Sequence, residues 1–245
     1  MEYNPKHRRK TRGTKSYDNN TFLHSREARN IRVQCEIVEP QLRLEKLGVN
    51  HLITFFGSAR SKPDSEDYKN AYNIAYRMGQ WAKAQPGGVG ISSGGGPGTM
   101  EAVNKGAYDS GAKSVGMGIS LPFEQSNNEY ITTDLDFEFH YFFTRKYWCV
   151  YLSKAFVLCP GGVGTLDEFF EIITLIQTQK VKIDVPIVLY DSEFWKSVIN
   201  FDALIERGTI SKQDLDLFTY ADTVDEACEY ITQNIKLNTS WDTLK

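Results

Sequence analysis

Apolar runs alternating with amphipathic helical stretches, three of the runs closed by turns of small residues, predict an α/β fold: a doubly wound parallel sheet with helices on both faces. The run at 155–159 is apolar throughout and that at 51–56 apolar but for His51 and Thr54, rather than at every second residue, as strands covered on both faces are. The closing turns, at Gly57-Ser58, 94–98 and 161–164, are expected to cluster on one edge of the sheet. In such Rossmann-like sheets ligands bind beyond the carboxyl ends of the strands, where the strand order reverses. An N-terminal helical extension precedes the pattern.

Each element has its own warrant. Residues 1–24 are polar, lack periodicity and gather Lys6, Arg8, Arg9, Lys10, Arg12 and Lys15, so a flexible basic tail is expected there. Residues 25–245 are expected to form a single Rossmann-like domain. At 25–48, Ile31, Val33, Cys35, Ile37, Val38, Leu42, Leu44 and Leu47 among charges predict two amphipathic helical pieces, broken near Pro40 and covering one edge of the domain. The strand at 51–56 leads to a helix at 65–84 with Ser65 as N-cap. A second strand, 89–92, runs into the glycine-rich stretch 93–101 and a helix to about 110. A third covers 113–121, and Pro122-Phe123-Glu124-Gln125 opens a longer loop. The aromatic stretch 137–143 leads into a helix carrying Arg145 and Lys146. The central strand 155–159 passes through the turn 160–164 into a helix from Thr165. A strand at 185–190, helical stretches at 194–207 and 211–217, a short strand at 218–220 and a closing helix at 224–235 complete the chain.

Composition bounds the function classes. With 245 residues, 41% hydrophobic and 24% charged, the chain is long enough for one large α/β domain with a substantial core. A net charge of -3 argues against a general nucleic-acid binder, and no apolar run approaches a membrane span. The N-terminus shows no signal-peptide apolar region. Cys35, Cys149, Cys159 and Cys228 are scattered without metal-ligand pairing. A cytoplasmic protein without bound metal or organic cofactor is expected.

The chemistry is expected at the turn after the central strand. Gly161, Gly162 and Gly164 are expected to let the backbone adopt φ > 0 and approach a ligand closely, with no Cβ in the way. The helix from Thr165 aims unpaired N–H groups and the positive end of its dipole at the same gap, which suits an anion and phosphate first. Glu168, one turn into that helix, projects toward the cleft, where it could contact the sugar beyond a phosphate. A lone glycine cluster would serve equally as a strand-to-helix connection with a capping carboxylate; two further small-residue turns tip the balance. Neither glycine stretch has the Gly-x-Gly-x-x-Gly spacing, and no Gly-x-x-x-x-Gly-Lys-Ser/Thr occurs. These absences argue against a dinucleotide site and a phosphate-loop ATPase, and leave a mononucleotide-sized site with two glycine-rich cradles.

Five stretches together resemble one family. Phe56-Gly57-Ser58-Ala59-Arg60, Gly94-Gly95-Gly96-Pro97-Gly98-Thr99-Met100-Glu101, Leu121-Pro122-Phe123-Glu124-Gln125, Tyr141-Phe142-Phe143-Thr144-Arg145-Lys146 and Pro160-Gly161-Gly162-Val163-Gly164-Thr165-Leu166-Asp167-Glu168 are similar to stretches of the LONELY GUY proteins. These are cytokinin riboside 5′-monophosphate phosphoribohydrolases, also labelled lysine decarboxylase-like. The resemblance covers about 31–227 and is greatest to the longer bacterial branch, with its extra N-terminal helices. It implies hydrolysis of the N-glycosidic bond of a nucleoside 5′-monophosphate, AMP or an N6-modified AMP, to free base and ribose 5-phosphate. It also implies that Arg145 and Glu168 are the catalytic pair, that 161–165 hold the phosphate, and that the chain forms a homodimer or larger homo-oligomer.

Physical chemistry bounds each role. A carboxylate beside the ribose stabilises an oxocarbenium-like state and orients the attacking water, a task that suits Glu168. Arg145 stays protonated and so works by charge and hydrogen bonding on phosphate or ribose rather than as a general acid. Glu101 is a candidate for protonating the departing base, against the plainer reading of a helix-terminal carboxylate. Gly57 and Ser58 from the first turn, Gly95, Gly96, Gly98 and Thr99 with Glu101 from the second, Lys146, and Pro160, Gly161, Gly162, Val163, Gly164 and Thr165 from the third are the substrate-binding candidates. Tyr141, Phe142, Phe143, Tyr147 and Trp148 could stack on a base, though such a run is mostly core, and His140 reads as structural. Ser153-Lys154 gives no basis for pyridoxal chemistry, so lysine decarboxylation is not expected. The alternative function is a non-catalytic nucleotide sensor or carrier on the same fold. A DNA-handling role would rest on the basic tail alone.

Overall fold

The computed structural model describes residues 13–121, 127–180 and 185–237. Its strands are β1 (His51–Phe56), β2 (Val89–Ser93), β3 (Lys113–Ile119), β4 (Asp136–Phe139), β5 (Ser153–Leu158), β6 (Ile187–Tyr190) and β7 (Thr219–Ala221). They form one parallel sheet in the order β4-β3-β2-β1-β5-β6-β7. The order reverses between β1 and β5, where Phe56 lies opposite Leu158. That reversal puts the crossover at the carboxyl ends of the two strands that the sequence marks as most apolar.

Helices cover both faces. The helices are α1 (Asn20–Leu23), α2 (Arg29–Lys46), α3 (Glu66–Ala84), α4 (Thr99–Ser110), α5 (Phe142–Tyr151), α6 (Val163–Gln177), α7 (Ser192–Val198), α8 (Phe201–Glu206) and α9 (Val224–Asn234). The alternation within β1 shows the layering: Leu52 and Phe56 pack under α2, α5 and α6, whereas Ile53 and Phe55 pack under α3, α4 and α9. On the first face Phe169 of α6 is fully buried among Trp195 and Phe218, with ring centroids 5.5 Å away in both cases. Burying one such side chain contributes about 1.5–3 kcal/mol. Thr165, Phe169 and Ile172 line the buried side of α6, so its rotation is fixed and Glu168 is held at the edge of that side.

Several boundaries differ from expectation, each for a local reason. The extension is one helix, not two pieces broken near Pro40. Pro40 lacks the N–H that would pair with the Glu36 carbonyl, and Trp148 Nε1–H donates to that carbonyl instead, at 2.8 Å. The inward face of the helix is mixed: Pro40 and Leu44 are buried and Val33 and Ile37 half-buried beside Arg32, Glu36 and Arg43, while Ile31, Val38 and Leu42 are exposed. Residues 13–24 are not featureless, holding a 3-10 turn at Ser16–Asp18 and α1. The aromatic stretch contains an edge strand, β4, whose Phe137 and Phe139 alternate inward. β5 starts at Ser153 because its hydroxyl is satisfied by Thr54 Oγ1 at 2.6 Å and the Cys149 carbonyl. The stretch 194–207 divides at Asn200, whose side chain caps α8 by accepting from Ala203 N–H, and 211–217 is largely a 3-10 helix. Lys6, Arg8, Arg9, Lys10 and Arg12, and the loop 122–125, lie outside the described residues.

Candidate active site at the strand crossover

Because β2, β1 and β5 are neighbours, the three small-residue turns lie side by side. Ser58 joins them: its N–H donates to the Pro160 carbonyl at 3.1 Å and its own carbonyl accepts from Thr99 N–H at 2.9 Å. Its hydroxyl accepts from Arg60 N–H at 3.0 Å, so the first turn serves as a tie between the other two. Gly57 is small because Thr99 is close: a Cβ there would lie 2.5 Å from Thr99 Cγ2. Gly98 has φ 68° and could take no Cβ either, since Ser58 O would be 2.5 Å away. Thr99 is buried, with Oγ1 3.0 Å from Ser61 Oγ.

The second turn is filled by the protein itself. Asn128 Nδ2 donates to the Gly95 and Gly96 carbonyls at 2.8 and 3.1 Å, and reaches Asn104 Oδ1 at 2.9 Å. Asn104 is fully buried, accepts from Ser93 Oγ at 2.7 Å and donates to Ser114 Oγ at 3.0 Å, so the network beneath the turn is satisfied. Gly94 makes way for Arg145, whose Nη2 would stand 2.7 Å from a Cβ at that position. Sequence reasoning missed Asn104, Asn128 and the role of Gly94; only the adjacent asparagines 127 and 128 offered a signal, and that a weak one.

Arg145, expected to work on phosphate or ribose, meets Glu168. Arg145 Nη1 donates to Glu168 Oε1 at 2.8 Å, with side chains 9% and 12% exposed. Arg145 Nε donates to the Met117 carbonyl of β3 at 2.8 Å, so the guanidinium is clamped between β3 and α6. Burial pushes the Glu168 carboxyl above its ordinary value, against the opposing pull of Arg145. Lys146 is turned elsewhere, onto Asp167 at 2.6 Å and Glu171 at 2.8 Å. Burial opposes its charge, but those two carboxylates outweigh burial and raise its pKa. Its observed role is to tie α5 to α6 beside the pair.

The third turn is open. Gly161 packs on buried Thr165, whose Oγ1 would be 2.2 Å from a Cβ. Gly162 and Gly164 would carry a Cβ with no described atom within 4 Å, and, contrary to expectation, none of the three glycines has positive φ, because the chain enters α6 in an extended conformation, with Gly162 at φ -91°. Val163 between them is 84% exposed. Gly162 caps α6 without a side-chain hydrogen bond, and the first helical bond runs from Leu166 N–H to the Gly162 carbonyl at 3.1 Å. The N–H groups of Val163, Gly164 and Thr165 thus have no acceptor among the described residues. A cluster of N–H groups of this kind, one turn from Glu168, has the chemistry to receive an anion.

The other candidates sit apart from the pair. Glu101 accepts from Tyr68 OH at 2.8 Å on the opposite face of the sheet, and burial followed by that bond raises the Tyr68 pKa. Trp148 is core, whereas Phe142 and Phe143 are exposed. Cys159, just before the turn, is buried and its thiol is pushed up to about 12 by burial, so it is no nucleophile. A cavity of about 400 Å³ lined by Leu44, Val49, Trp148 and Leu152 lies at the other end of the strands, away from this chemistry. Among the described residues no three His, Cys, Asp or Glu side chains assemble as a metal site, and no helix is long and apolar enough to cross a membrane.

A family model described as "possible lysine decarboxylase" matches residues 100–231, a span that includes Arg145, the third turn and Glu168. The probable cytokinin riboside 5′-monophosphate phosphoribohydrolase LOG4 of Oryza sativa subsp. japonica is 28% identical over 145 residues, 58% of this chain and 62% of that protein. The match therefore spans under two thirds of the rice relative's length. The cytokinin riboside 5′-monophosphate phosphoribohydrolase LOG3 of Arabidopsis thaliana is 27% identical over 188 residues, 75% of this chain and 82% of that one. Among solved structures, the molybdenum cofactor carrier protein of Chlamydomonas reinhardtii shares the fold, with a TM-score of 0.50 at 20% identity, over 76% of this chain and 98% of that one.

Proposed function

The chain belongs to the family described as possible lysine decarboxylases, that of the LONELY GUY proteins, and from that premise we propose that it hydrolyses the N-glycosidic bond of a nucleoside 5′-monophosphate. The observation that carries the reading is the coincidence, within one helical turn, of an open N–H cradle at 162–165 and a buried, arginine-clamped carboxylate at Glu168. The cradle takes the 5′-phosphate, which sets the ribose against Glu168. As the bond from the anomeric carbon to the base nitrogen breaks, the ionised carboxylate stabilises the positive charge on the sugar and orients water toward that carbon. Water supplies hydroxide to the sugar and, in the balance, a proton to the departing base. Arg145 holds Glu168 in place and favours its ionised form.

AMP or an N6-modified AMP is the proposed substrate, the choice drawing on the two plant relatives, a cytokinin riboside 5′-monophosphate phosphoribohydrolase and a probable one. Cytokinin activation, a cytoplasmic setting and a homo-oligomeric assembly belong to the same proposal. Lysine decarboxylation has no support in the site: Lys146 is neutralised by two carboxylates, and Lys154 stands at the start of β5, at the far end of the strand from the turn. Chromatography for free base and ribose 5-phosphate, with wild type and Glu168→Ala against a panel of monophosphates, tests the reading. Product from wild type alone upholds it. Tight nucleotide binding without product, indifferent to Glu168→Ala, would make the protein a carrier or sensor.

A further inference from the structure

The extension helix α2 contributes Glu36, a residue outside all five motif stretches. Its Oε1 accepts from His140 N–H at 2.9 Å, and its Oε2 from Tyr141 N–H at 3.3 Å and the Thr144 hydroxyl at 2.5 Å. α5 has Tyr141 as its N-cap residue, with no side-chain cap of its own, so the cap comes from another helix. A carboxylate there also meets the positive end of the α5 dipole. The Glu36 carbonyl, freed by Pro40, takes Trp148 Nε1–H at 2.8 Å. One residue therefore grips α5 on both sides of Arg145. Tyr141 couples the grip to the arginine, since its N–H goes to Glu36 and its carbonyl accepts from Arg145 N–H at 3.2 Å.

The neighbours of Glu36 extend the same attachment. Arg32 Nη1 donates to the Leu23 and Ser25 carbonyls, and Nη2 to Tyr141 OH at 3.3 Å. Arg43 donates to the Asp136 carbonyl at 2.9 Å and stacks 4.0 Å from the Phe137 ring centroid. α2 is thus fastened along the whole segment from β4 to the middle of α5.

We propose that Glu36 is a positioning residue for Arg145, fixing the first turn of α5 so that one guanidinium reaches the Met117 carbonyl and Glu168 together. Those two acceptors sit on different elements, β3 and α6, and a small slide or rotation of α5 would sacrifice one of them. The inference rests on the reading of Arg145 and Glu168 as the catalytic pair.

Base release from AMP by wild type, Glu36→Gln, Glu36→Ala, Arg145→Ala and the double variant Glu36→Ala/Arg145→Ala tests it, each variant checked for native circular dichroism. A misplaced group can cost up to about 100-fold, so Glu36→Ala should lower kcat by about tenfold or more with KM little changed. Glu36→Gln, which keeps one acceptor oxygen, recovers part of the loss. With Arg145 already alanine, Glu36→Ala brings no further loss. An equal loss in both backgrounds, or an unaltered kcat in Glu36→Ala, would overturn the proposal. If wild type releases no base from any monophosphate, the proposed function fails, and the positioning is read instead from the Arg145 Nε–Hε NMR signal, identified by its absence in Arg145→Lys. Protection of that proton in wild type and its exposure to exchange in Glu36→Ala support the assignment; equal protection in both rejects it.

Discussion

The two glycine-rich turns look alike in sequence and differ in what their glycines are for. Around 94–98 the protein itself requires small residues: Arg145 presses on Gly94, Met100 on Gly96 and the Ser58 carbonyl on Gly98, and Asn128 ties down the carbonyls of Gly95 and Gly96. In the turn at 161–164 only Gly161 answers to a neighbour, whereas Gly162 and Gly164 are required by neither backbone conformation nor packing. The helix starts differ in the same sense. Thr99 N–H of α4 is taken by Ser58, but the first three N–H groups of α6 are unclaimed among the described residues. A glycine that its own protein does not require marks a contact with something else. The turn at 94–98 reads as scaffold, and the turn at 161–164 is the one that the proposed function assigns to the ligand.

The sharpest way to break this contrast is Glu168→Ala. Loss of a preorganised charge at the reacting centre typically costs about 100- to 1,000-fold, so base release should fall by at least that factor. Activity within a few-fold of wild type would move the chemistry away from α6. The raised carboxyl of Glu168 adds a pH signature: if its ionised form does the work, the acid limb of kcat/KM lies above the ordinary glutamate value of 4.5. The sign for stability follows, because the native state holds this proton more tightly than the unfolded chain. Its contribution is complete below pH 4.5 and is lost as pH rises through the raised native value. Glu168→Gln abolishes that dependence; a limb at or below 4.5 in wild type would mean another group controls the rate.

Substitutions in the turn at 94–98 should register in stability. Gly98→Ala combines positive φ with a backbone clash and should cost about 2–3 kcal/mol in urea unfolding. A cost below about 0.5 kcal/mol would deny that the turn is packed by the protein. Asn128→Ala strips hydrogen bonds from the same turn and from buried Asn104, a smaller loss of about 1–2 kcal/mol, read from the thermal midpoint.

Much of this was legible in the chain because it depends on local pattern. The largely apolar, non-alternating runs at 52–56 and 155–159 declare strands covered on both faces, and Arg145 and Glu168 lie in stretches that carry the family resemblance. What escaped depends on partners remote in sequence. Arg32, Glu36 and Arg43 make α2 look solvated along one side, yet that side faces the β4–α5 segment, and the Glu36 bond to His140 spans 104 residues. Of the eight apolar residues that mark α2 as amphipathic, Leu44 is buried and Val33, Ile37 and Leu47 are half-buried, whereas Ile31, Cys35, Val38 and Leu42 are exposed. β4 was hidden because four residues give too short an alternation beside an aromatic helix start. Lys146 was grouped with the phosphate cradle by its place next to Arg145, but adjacent helical residues point in different directions and it reaches Asp167 and Glu171 instead.

The most direct test of the central claim is Gly162→Ala, measured for both unfolding free energy and nucleotide turnover. A methyl group at that position meets no described atom, so stability should stay within about 0.5 kcal/mol of wild type, while base release from AMP falls by about tenfold or more as the cradle is obstructed. Unchanged turnover in a variant of unchanged stability would contradict the assignment of the open turn as the phosphate site.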